Sequence, residues 1–250
     1  MVVAFVDTGF DSMALPAFAG RTASGINEIS GGTGGADLNG HGTEMAVIAA
    51  GGGDRGVWGV APEATVLPVL VADAQGHATP EAVAAGVTWA AAHGAAVINI
   101  SLAAAVASKD VAGAIEAASA AGILVVVAAG DLGMPGPEFP ASAPGAIAVY
   151  GQDQSGDVGA HSNVPTDAAA LAPGERIETL VRADADIRKL AVNGTSAAAA
   201  VVSGILAACL SAATARYKSF ELRGGHCKQL LLRQPRGRFV DLDYIMEAVT

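Results

Sequence analysis

Charge is scarce in this sequence. Only 15% of its 250 residues are Asp, Glu, Lys or Arg, aromatic residues make up 4%, and there are two cysteines, Cys209 and Cys227. Low charge and glycines without a period of three exclude a coiled coil, a collagen-like chain and a disordered tail. Two cysteines cannot build a disulfide scaffold, and such low usage suits a reducing compartment. Basic residues are the scarcer sign: 14 against 24 acidic ones give a net charge of −10. That excludes a generic nucleic-acid binder, which needs an excess of Lys and Arg to neutralise phosphates. Long apolar runs are also missing. Mean hydropathy is +0.44, but Gly, Ser, Asn or Asp interrupts every run before the roughly 18 residues of a membrane span. The opening MVVAFVD lacks a basic stretch followed by a cleavage site, so no secretion signal is read and a cytoplasmic protein is expected.

What the chain has instead is small residues: 32 Gly and 56 Ala among its 250. With 52% hydrophobic residues it can bury a large core, and the whole of 1–250 reads as one domain. Val2 to Val6 is a strand ending at Asp7, residues 20–40 are glycine-rich loop with or without a minor strand, and His41 opens a helix through Ala50. Thr65 to Val71 is the next strand. Thr79-Pro80-Glu81 starts a helix over Ala82 to His93, with Thr as cap and Pro in the first turn. Gly94 stops it, and the strand Val97 to Ile100 ends at Ser101. The alternation repeats with a helix over Lys109 to Ala121 and strands over Ile123 to Ala129 and Ile147 to Val149. Polar loops follow to Gly174, then an Ala-rich helix over Thr195 to Ala213 and a closing amphipathic helix over Val240 to Val249. This order predicts an α/β sandwich with a mostly parallel sheet, whose chemistry gathers at the C-terminal ends of the strands. Asp7, Ser101 and Asp131 fall there.

Residues 216–238 carry seven of the 14 basic residues and one acid, Glu221. They read as a solvated, turn-rich surface or as a docking surface for an acidic protein partner.

Three short stretches could carry chemistry: Asp7-Thr8-Gly9 after the first strand, His41-Gly42-Thr43 at a helix start, and Gly194-Thr195-Ser196 at the start of the Ala-rich helix. A serine at a helix N-terminus has backbone N–H groups facing a developing oxyanion. A histidine can take its proton and a buried aspartate can fix the imidazole tautomer. Singly, Asp7 reads better as a turn or cap residue, His41 as a helix-terminal residue and Ser196 as a cap; together they occur in the chain order Asp, His, Ser of one known triad class. His77, His93 and His226 have no partners at metal-ligand spacing, and His161 precedes a Ser-Asn turn.

The chain resembles the subtilisin-like serine peptidases, the subtilases, almost end to end. Beside the three motifs, Gly59-Val60-Ala61-Pro62, Asn99-Ile100-Ser101-Leu102, Phe139-Pro140-Ala141, Ser162-Asn163 and Ala172-Pro173-Gly174 match family landmarks. The resemblance implies a three-layer sandwich and a serine endopeptidase working through an acyl-enzyme. Ser196 would be nucleophile, His41 general base and Asp7 its orienting carboxylate. An extended peptide or protein substrate would pair with Ser101, Leu102 and Ala103, and Ala128, Ala129 and Gly130 would wall the main specificity pocket. No cofactor is expected.

The pattern also breaks. Asp131 stands where the family places an oxyanion-donating asparagine, and a carboxylate has no N–H to give; loss of one such donor is worth about 2.7–4 kcal/mol. Ala197 replaces a Met after the nucleophile, Ala200-Val201 a Pro-His pair, Ala103 a glycine and Glu44 a second histidine. The chain begins one residue before the first strand, without a recognisable pro-segment. The loop GGGDRGVW, with Asp54 its one carboxylate, is too poor in oxygen ligands for calcium. The expectation is therefore a weak, conditional or narrowly dedicated peptidase. The competing expectation is an impaired subtilase-like scaffold that holds a peptide or protein partner. A nucleotide-binding protein is disfavoured, because the glycine runs lack a strand–GxGxxG–helix context or a P-loop lysine.

Overall fold

Alternate residues of the first strand feed two separate cores. In β1 (Val2–Asp7), Val3 and Phe5 pack into one apolar cluster, Ala4 and Val6 into another. β5 (Leu124–Ala128) does the same, with Leu124 and Val126 on one side and Val125 and Val127 on the other. Strands covered on both faces have no polar side, which is why they read as continuous apolar runs.

The computed structural model describes residues 1–11, 16–18, 20–104, 106–166, 169–183, 186–214, 216–233 and 242–249. Its main sheet has seven strands in the order β2-β3-β1-β4-β5-β6-β7, all pairs parallel. β2 is Ile26–Asn27, β3 Thr65–Leu70, β4 Val97–Ile100, β6 Ala146–Gln152 and β7 Ala170–Pro173. Helices α1 (His41–Ala50) and α4 (Thr195–Ala212) cover one face; α2 (Pro80–Ala92) and α3 (Lys109–Ala120) cover the other. This is the expected three-layer α/β sandwich.

Local chemistry sets the helix limits. Thr79 accepts from the Ala82 N–H at 3.2 Å and Ser108 from Val111 at 3.4 Å, satisfying orphan donors at the starts of α2 and α3. α4 is long and apolar enough to cross a membrane, but it is a core helix, packed against α1 and strands β4 to β7. Its run of alanines lets it lie close to the sheet.

Strands also form in stretches whose sequence reads as loop or surface. β7 lies within the stretch read as polar loop, and β6 extends beyond the expected Ile147 to Val149. β8 (Ile177–Ala183) and β9 (Asp186–Val192) form an antiparallel hairpin apart from the main sheet. Their signal is weak because β9 buries Ile187 and exposes Arg188, Lys189 and Leu190.

The basic region is corrected in part. Instead of turns, its core is helix α5 (Phe220–Leu232), capped by the Ser219 hydroxyl and burying Gly224, Cys227, Leu230 and Leu231. The Gly224-Gly225 pair hides the helix, since glycine disfavours helical backbone; Gly224 is needed because a Cβ there would stand 2.7 Å from the Gly122 carbonyl. Residues 234–238 of that region, and 240–241 before the closing helix α6 (Leu242–Val249), lie outside the described residues. Cys209 of α4 and Cys227 of α5 form a disulfide.

Candidate active site

One edge of the sheet collects the candidate residues. Asp7 ends β1, Ser101 follows β4, and Gly130 and Asp131 follow β5, while His41 opens α1 and Ser196 is the second residue of α4.

Asp7 is fully buried. Its Oδ1 accepts from the Thr8 N–H at 2.8 Å and pairs with His41 Nδ1 at 2.8 Å; its Oδ2 is buried without a hydrogen-bond partner. The His41 side chain keeps 30% of its surface exposed. The Asp7 carboxylate pushes the imidazole up to about 9 against the opposing effect of burial, and Glu44 and Asp37 add smaller pushes. Glu44, on the same helix, is itself raised, chiefly by burial, with His41 pulling it back.

The close approach of α1 to the end of β1 depends on Gly42, where a Cβ would stand 2.5 Å from the Gly9 carbonyl. A second buried carboxylate, missed by the sequence reading, locks that approach. Asp37 Oδ1 accepts from the Thr8 hydroxyl, the Gly40 N–H and the Asn39 N–H at 2.8, 2.7 and 3.2 Å. Its Oδ2 accepts from the Thr43 N–H and hydroxyl at 2.8 and 2.7 Å. The Thr8 oxygen in turn accepts from the Gly42 N–H at 2.9 Å. The available signal was Asp-x-Asn-Gly just before a helix, a pattern suited to side-chain capping of backbone donors.

The serine side is looser. Ser196 Oγ donates to the Ser101 carbonyl at 3.4 Å, not to His41, and Ser101 Oγ lies 3.4 Å from the Ser196 carbonyl. Ser101 Oγ is anchored by Asn99 Nδ2 at 2.9 Å, and Asn99 Oδ1 by the Ser203 hydroxyl at 3.0 Å. Thus the structure brings Asp7 and His41 together and leaves the histidine–serine contact unmade. Asp131 Oδ1 accepts from the Thr195 N–H at 2.8 Å, and its Oδ2 lies beside Gly194, 2.9 Å from where a Cβ would stand.

The other candidate residues form two segments. Ser101, Leu102 and Ala103 continue from β4, with Ala103 exposed; Ala128, Ala129 and Gly130, all buried, close β5. The chain at Glu138 and Phe139 joins them: Glu138 N–H donates to the Ala129 carbonyl at 2.8 Å, and Ala104 N–H to the Phe139 carbonyl at 2.8 Å. Asn163 ties this crossing down. Its Nδ2 donates to Ala129 O at 3.0 Å and Glu138 Oε1 at 3.1 Å, and its Oδ1 accepts from the Leu132 and Met134 N–H groups. Among the described residues, no group of three or more His, Cys, Asp or Glu side chains could share a metal ion.

Compared with known families, residues 1–235 match the model of the subtilase family, peptidase S8. The chain belongs to the subtilases. This subtilase is 36% identical over 219 residues to a thermostable alkaline protease of Halalkalibacterium halodurans, an alignment covering 87% of this chain and 58% of that protein. It is 36% identical over 205 residues to thermitase of Thermoactinomyces vulgaris, covering 81% of this chain and 72% of thermitase. A solved cold-adapted subtilisin-like serine proteinase superposes with a TM-score of 0.78 at 27% identity, covering 91% of this chain and 81% of that one.

Proposed function

We propose that this subtilase is a serine endopeptidase held in a low-activity state. The observation that carries the reading is the 2.8 Å contact between His41 Nδ1 and buried Asp7, in a family chain that also presents Ser196 at the start of α4. Ser196 Oγ attacks the peptide carbonyl and its proton passes to His41 Nε2. Asp7 holds the tautomer that leaves Nε2 free and stabilises the imidazolium that results. The proton then goes to the leaving amine, and water releases the acyl group by the reverse sequence. To begin, the Ser196 hydroxyl turns from the Ser101 carbonyl toward His41, a contact that tightens when substrate is in place.

In this reading Asp131 keeps the rate low. Held by the Thr195 N–H, it offers an acceptor oxygen where an asparagine in the same pose would offer an N–H to the oxyanion.

That carboxylate also supports a second reading, a scaffold that binds peptide without cleaving it. A fluorophosphonate probe separates the two. The peptidase reading expects labelling of Ser196 that is lost in Ser196→Ala and weakened in His41→Ala. No labelling between pH 5 and 9 would leave the scaffold.

A further inference from the structure

We propose that Glu138 makes this cleft select a peptide with a cationic side chain, lysine or arginine, before the scissile bond; this rests on the peptide-binding reading of the cleft. Glu138 belongs to the chain that joins the two cleft segments, one hydrogen bond from each: its own N–H to Ala129, and the neighbouring Phe139 carbonyl to Ala104. Its side chain turns back under Gly130. Oε1 and Cδ occupy the space that a side chain on Gly130 would fill, 2.6 and 2.7 Å from the Cβ position.

The carboxylate is half-buried and held by a neutral donor, Asn163 Nδ2 at 3.1 Å. Among the described residues no Lys, Arg or His forms an ion pair with it. The neighbours it is held against, Ala129, Gly130 and Asn163, supply no opposite charge. A partly buried negative charge beside Gly130 attracts a cation and repels an acid more strongly than one in open water. A side chain with an apolar stem and a positive tip suits such a place. Asp131, two residues along from Ala129, adds the same sign at the rim.

The test separates recognition from hydrolysis by using Ser196→Ala protein, which cannot acylate. Fluorescent peptides identical except for lysine or norleucine before the scissile position are titrated by anisotropy. The lysine peptide should bind about 10-fold tighter or more, with the advantage shrinking as salt rises. Glu138→Gln in the same background keeps an oxygen for Asn163 and should erase the difference while leaving norleucine binding within about threefold. Equal binding of the two peptides, or no binding of either, overturns the inference. So does a lysine advantage that survives Glu138→Gln. If that variant melts early, the salt dependence of the Glu138 protein decides alone, and a salt-independent preference counts against the carboxylate. Discrimination in Ser196→Ala protein together with an unlabelled Ser196 would sink the peptidase reading and leave this one standing.

Discussion

The two halves of the candidate site are built to different tolerances. On the aspartate–histidine side, Asp37 accepts five hydrogen bonds from Thr8, Asn39, Gly40 and Thr43, and Asp7 meets His41 at 2.8 Å. On the serine side, the Ser196 hydroxyl makes one contact of 3.4 Å, and Asp131 presents an acceptor at the helix start. In the proposed peptidase, orientation of the base is thus fixed before substrate arrives, whereas stabilisation of the transition state is not. Preorganised donors are usually the larger part of rate enhancement, so such an enzyme would be limited mainly by its loose half.

The largest effect should come from breaking the tight half. Asp7→Asn keeps the shape but favours the wrong tautomer, and kcat/KM should fall about 10⁴-fold. Equal rates for the two proteins would mean that His41 is not the base. Next is repair of the loose half. Asp131→Asn keeps an oxygen for the Thr195 N–H and turns an amide where Oδ2 stood, so turnover should rise at least about 10-fold, the lower part of what one oxyanion donor contributes. An unchanged rate would place this side chain away from the oxyanion and favour the scaffold.

Asp37→Ala tests the tightness itself. Five donors lose their acceptor, three of them in buried bonds, a loss of about 3 kcal/mol or more, read as a lower denaturation midpoint at unchanged slope. If stability holds while activity drops, the network orients the site without supporting the fold.

These two halves differed in legibility as well. Asp7, His41 and Ser196 stand out because small residues flank each and because their order is distinctive. The parallel sheet is legible because both faces of its strands are covered. Asp37 and Glu138 are not, since each acts through contacts distant in sequence: Asp37 with Thr8, Glu138 with Gly130 and Asn163. The β8–β9 hairpin escaped for another reason. It buries too little to impose a clean alternation, and α5 carries two glycines that argue against the helix its buried Cys227, Leu230 and Leu231 require. Spacing in the sequence picks out candidate reactive groups; it is silent about the ones that hold them.

The smallest expected effect concerns pH, and it sets activity against stability. A histidine raised from 6.5 to about 9 in the folded chain stabilises the fold fully below 6.5, and that contribution is lost as pH climbs through about 9. The neutral imidazole needed as base appears over the same interval. Peptidase rate should therefore rise from pH 7 toward pH 9 and beyond while the melting temperature falls. Glu44 tunes this balance from the same helix, adding a push smaller than that of Asp7. In Glu44→Gln both midpoints should move toward lower pH together, by less than in Asp7→Asn. The neutral-pH rate rises modestly, with no change in the plateau at high pH. A change in the plateau with fixed midpoints would instead mean that Glu44 touches the substrate, because a distant charge alters the fraction of active base and leaves its intrinsic reactivity alone.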